Sequence, residues 1–148
     1  MHNYQHILAA VDLTDGMAPL LNRAAEMARR YGSRVTLIHA VEVVPVDVSS
    51  EIVLPKLQEV QNALTQRAQT IMRTAADAAE LRHADIVVRT GGAKWEVITY
   101  ASENAVDLII MAGHTPRGLR RLLGSTANAV LSGAPCDVLV VHLPDAKK

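Results

Sequence analysis

DLIIMAGHTPRGLRRLLGST (107–126) decides the fold. Residues 107–112 are a carboxylate followed by an aliphatic run, the composition of a strand buried on both faces. Gly113, Pro116 and Gly118 mark a loop, and Gly124, Ser125 and Thr126 then enter a helical pattern that spans 119–132. Strand, glycine-bearing loop and helix in this order make an α/β unit. A helix start there offers free N–H groups and a positive dipole end, both suited to phosphate.

Working outward, HILAAV (6–11), RVTLIHAV (34–41) and DVLVVHL (137–143) are further near-continuous apolar runs. DIVVRT (85–90) alternates more. Helical spacing fills the gaps. In 16–31, Met17, Leu20, Ala24, Met27 and Tyr31 recur every three or four residues; Thr14 or Asp15 is positioned to cap the start and Gly32 to stop the end. In 56–80, Leu57, Val60, Leu64, Ala68, Ile71, Ala75 and Ala79 form a stripe that predicts the buried face, with Gln66 and Arg67 off it. A shorter helix is predicted over 93–105, and Trp95 within it reads as core. The segment 42–55, EVVPVDVSSEIVLP, has two prolines and a Ser pair and reads as a loop. The order β-α-β-α-β-α-β-α-β predicts right-handed crossovers and a single doubly wound, flavodoxin/Rossmann-like parallel sheet of five strands across 1–148.

Such sheets bind ligands beyond the carboxyl ends of the strands, where the strand order switches. If the first strand neighbours the fourth, that crevice lies between Asp12 and Gly113. Asp12 there suits a base, a ribose or a metal, or equally a capping turn with Thr14 and Asp15. Gly113, Gly124, Ser125 and Thr126 suit a phosphate, or a tight turn and a capped helix. The stretch matches neither G-x-G-x-x-G nor G-x-x-x-x-G-K-[ST]. Arg117, Arg120 and Arg121 read as a solvated helix face before a phosphate clamp.

Other chemistry finds little support. The chain has 148 residues, 15 basic and 15 acidic, so the charge footprint of a nucleic-acid binder is missing. Its six histidines make no metal-binding spacing. Cys136 is the single cysteine and reads as a small buried hydrophobe. No G-x-S-x-G elbow is present. The N-terminal run lacks a basic flank and no apolar stretch reaches ~18 residues. The expectation is a cytoplasmic protein without catalytic residues, metal, membrane or nucleic-acid partner.

Three stretches together resemble the universal stress protein family: YQHILAAVDLT, ARRYGSRVTLIHAVE and AVDLIIMAGHTPRGLRRLLGSTANAVLSGAPCDVLVV. The resemblance covers nearly the whole chain and implies the same flavodoxin-like fold, with expected strand order 3-2-1-4-5, and a homodimer. One branch of that family binds ATP through G-x-x-G, nine residues and G-[ST], with the Asp ending the first strand holding the nucleoside. Asp12, Gly124 and Ser125 match. Pro116 stands where the second Gly belongs, and ten residues separate Gly113 from Gly124 where that branch has twelve. Gly113 followed by His114 fits the A-type branch, which is not regarded as binding ATP. The resemblance therefore implies an A-type regulatory or protective module with no cofactor; the alternative is an ATP- and Mg-dependent switch or slow ATPase. Any protein partner is unspecified. At the expected sheet edge, Val138, Leu139, Val140, Val141 and His142 carry no Lys or Pro, which predicts pairing with the same strand of a second chain.

Overall fold

The fold comes from a computed structural model that describes residues 3–43, 53–113 and 124–143, with backbone alone at 53 and 54. The loop 114–123 and most of the segment 42–55 lie outside these residues. Nine elements alternate: β1 (His6–Ala10), α1 (Met17–Tyr31), β2 (Arg34–Val41), α2 (Val53–Ala78), β3 (Asp85–Thr90), α3 (Ala93–Glu103), β4 (Leu108–Gly113), α4 (Ser125–Gly133) and β5 (Asp137–His142). The five strands form one sheet in the order β3-β2-β1-β4-β5, and the pairs are parallel.

The apolar runs become strands because both faces of the central ones are covered. Along β1, Ile7 and Ala9 enter one core with Leu20, Leu21 and Ala24 of α1 and Met72 and Ala76 of α2. Leu8 enters the other with Val97, Tyr100, Ala127 and Val130 of α3 and α4. All three β1 residues have no exposed surface. Polar groups pin the amino end. The Asp107 carboxylate accepts the Gln5 and His6 N–H groups at 2.8 and 3.0 Å. The buried His6 ring lies between the Asn104 carbonyl and the Thr36 hydroxyl, so Nδ1 donates at 3.1 Å and Nε2 accepts at 2.8 Å.

The two helices of the first half differ in how well periodicity describes them. On α1, Leu20, Leu21, Ala24 and Ala25 are buried, and Gly32 stops the helix with φ 66°. Neither Thr14 nor Asp15 caps it: Gly16 holds the N-cap position with no side-chain bond, and the Met17 N–H bonds the Thr14 carbonyl. On α2 the packed row is Ala68, Met72 and Ala76, continued by Ala79 just past the helix end. Val60 and Leu64 are 52% and 39% exposed, and Ile71 is half-buried. Ala68 and Ala79 of the predicted stripe are thus on the packed face, whereas Val60 and Leu64 are not. Alanines on the packed row let α2 approach the sheet closely, with Met72 filling the gap. Trp95 is another departure at 64% exposed. The buried face of α3 is Val97, Tyr100 and Ala101, and Trp95 points away from it toward Lys94, whose Nζ lies 5.4 Å from the ring centroid.

Met72→Ala should therefore cost ~2–5 kcal/mol in urea unfolding, whereas Leu64→Ala should stay within ~1 kcal/mol of wild type. Equal losses would contradict the observed phase of α2.

Candidate functional site

β1 and β4 pair only from Ile7↔Leu108 to Ala9↔Ile110. Beyond Ala9, β1 follows β2 instead, and the Val11 N–H bonds the Ile38 carbonyl at 2.9 Å. β4 continues beside β5 to the pair Gly113↔His142. The two central strands part at their carboxyl ends, and a cavity of about 260 Å³ opens in the gap.

Its walls have three kinds of chemistry. Ile38, Ala40, Val97 and Met111 make an apolar slot. Asp12 supplies a carboxylate. Gly124, Ser125, Thr126 and Ala127 bring the start of α4. The first-turn N–H groups of that helix have no intrahelical acceptor, and no side chain caps it. The dipole end and two hydroxyls thus favour an anion, while the slot beside them favours a flat apolar group.

Local turns hold these walls in place. Asp12 Oδ1 accepts the Thr14 N–H at 3.2 Å and its hydroxyl at 2.6 Å. The turn closes across Leu13, whose φ is 62°. A left-handed non-glycine residue costs ~1–2 kcal/mol. Among the described residues the other two, Glu80 and Ala105, sit just past helix ends, where this conformation is ordinary. At Gly91, φ is 146°, a backbone conformation that L side chains rarely adopt, so glycine suits the turn before α3.

Asp12, Gly124, Ser125 and Thr126 therefore meet in one cavity, as their spacing around the switch point suggests. Gly113 does not join them: it is buried at the end of β4, opposite His142. His114, Arg117, Arg120 and Arg121 lie outside the described residues. The apolar slot escaped sequence reading, because Ile38, Ala40 and Met111 look like any other strand residues. The one available signal was topological: each lies near the carboxyl end of a central strand.

Among the described residues Asp12 is the single ionisable side chain of the cavity. Also among them, no group of three or more His, Cys, Asp or Glu could hold a metal. Cys136, just before β5, packs against the α3–α4 core, and burial first, then Asp137 and Asp107, push its thiol pKa up. The raised value means less thiolate at any given pH below it. Iodoacetamide at pH 8 should alkylate Cys136 more slowly in the native protein than in urea-unfolded chain. Equal rates, followed by mass spectrometry, would contradict this placement.

Comparisons with known proteins agree with the geometry. A family model described as the universal stress protein family matches residues 3–142. Universal stress protein A homolog 1 of Coxiella burnetii is 35% identical, over 98% of this chain and 100% of its own. Among solved structures, a universal stress protein from Lactobacillus plantarum superposes with a TM-score of 0.80 at 24% identity, covering 95% and 99% of the two chains. A universal stress protein in complex with cAMP gives 0.67 at 20% identity, covering 97% and 100%. At these identities the two structures carry the fold.

Proposed function

The chain belongs to the universal stress protein family, and on that premise we propose that it is a cytoplasmic stress-response module that works by binding a nucleotide and not by catalysis. The observation that carries this reading is the meeting of Asp12, the apolar slot and the uncapped start of α4 in one cavity. The slot takes a base, the Asp12 carboxylate accepts ribose hydroxyls, and the helix start takes a phosphate. The structural neighbour that holds cAMP supports a monophosphate.

The chain falls, on this reading, in the A-type branch that does not hold ATP firmly. Pro116 removes one N–H donor from the loop. The loop is also shorter than in the ATP-binding branch, and each extended residue spans ~3.5 Å. Calorimetric titration of the full chain tests both parts. AMP should saturate the site, and Asp12→Ala should weaken it at least tenfold, ~1.4 kcal/mol. ATP with magnesium should bind no tighter than ~0.1 mM. Micromolar ATP binding would overturn the branch assignment, and absence of AMP binding would overturn the nucleotide reading.

The second part of the proposal is a homodimer through β5. This strand is at the sheet edge, its residues 138–141 are half-buried and His142 is exposed. None of Val138, Leu139, Val140 and Val141 bears a charge, whereas Arg89 interrupts the opposite edge strand, β3. A bare apolar edge recruits another strand, and the same strand about a two-fold axis closes the assembly. Light scattering should give a dimer at micromolar concentration, and Val140→Lys should give a monomer. A monomeric wild type would contradict this.

A further inference from the structure

A second cavity, of about 410 Å³, lies on the α2 side of the sheet, back to back with the first. Ala40 lines both, and Leu13 of the second adjoins Asp12 of the first. Its floor includes the buried Val41 and Ala68. Leu13, Leu64 and Ile71 form its apolar sides. Two aliphatic residues of α2 that are not fully buried, Leu64 and Ile71, thus border a cavity. Leu13 reaches it from a strained left-handed backbone, a feature that concentrates at binding sites.

Three polar side chains complete the lining: His39, Glu42 and Arg67. His39 Nδ1 lies 2.8 Å from the Val11 carbonyl and must donate to it, which leaves Nε2 of the neutral ring as an acceptor. No hydrogen bond to that Nε2 is made among the described residues. Glu42 and Arg67 are exposed, and neither forms an ion pair with the other or with any described residue. The cavity therefore presents one guanidinium donor, two acceptors and an apolar surface.

We propose that this cavity binds a zwitterion with an apolar side chain, that is, an aliphatic or aromatic α-amino acid. Arg67 takes the carboxylate in fork geometry. Glu42 and His39 Nε2 accept from the ammonium group. The side chain rests on Leu13, Leu64 and Ile71, where burial of apolar area drives binding. A simple carboxylate engages only Arg67, and a simple amine only Glu42 and His39, so the zwitterion, which engages all three, is bound more tightly than either.

The test is calorimetry and saturation-transfer NMR on the full chain with L-leucine as probe and no nucleotide present. Binding should saturate. Leucine amide, which lacks the carboxylate, and 4-methylpentanoate, which lacks the ammonium group, should each bind at least tenfold more weakly. Arg67→Gln should weaken L-leucine at least tenfold, and Leu64→Trp, which fills the cavity from its rim, should abolish binding. Both positions are exposed, so circular dichroism should be unchanged. The proposal is overturned if L-leucine does not saturate at ~10 mM, or if Arg67→Gln binds as wild type does. Because the titration contains no nucleotide, its outcome is separate from that of the AMP experiment.

Discussion

The position of β1 governs the rest of the molecule. It is central, parallel to both neighbours and fully buried through Ile7, Leu8 and Ala9. Burial on both faces demands helices on both faces, and parallel strands demand crossovers. The chain leaves β1 toward β2 on one side and enters β4 on the other. At the amino end the Asp107 carboxylate ties the strands together through Gln5 and His6. At the carboxyl end the β1–β4 ladder stops at Ala9↔Ile110. The site is therefore a consequence of the topology: the crossovers diverge where the strands end, and the side chains at those ends face a gap.

This geometry explains why residues distant in sequence share chemistry. Asp12 arrives from the end of β1, Ala40 from β2, and Ser125 from the start of α4. Among the described residues the cavity offers the Asp12 carboxylate, engaged with Thr14, and the Ser125 and Thr126 hydroxyls. Its strength lies in complementarity between an apolar slot and an anion-attracting helix end, which suits recognition. The wall that separates the two cavities, through Leu13 and Ala40, is only a strand end thick.

Much of this was legible in the amino-acid sequence because the physics is local. Near-continuous apolar runs identified four strands and the more alternating DIVVRT the fifth, β3, and the switch-point rule pointed to the crevice that Asp12, Gly124, Ser125 and Thr126 line. What failed depended on packing partners. Leu64 and Met72 are equally apolar in sequence, and the approach of α2 over alanines decided which was buried. Trp95 looks like core by composition, but the face of α3 is set by Val97 and Tyr100. Gly113 belongs to the family pattern, and it is buried at the end of β4 opposite His142. Thr14 has capping chemistry, but Asp12 engages it in a turn first.

The central claim is that the gap between β1 and β4 is the ligand site. An isotope-edited NMR titration of the full chain with AMP tests it most directly. The largest amide shifts should fall on Asp12, Ala40, Ser125, Thr126 and Ala127, with the amino-end residues Gln5, His6 and Asp107 unmoved. Saturating shifts confined to other surfaces, with the start of α4 unchanged, would contradict the account.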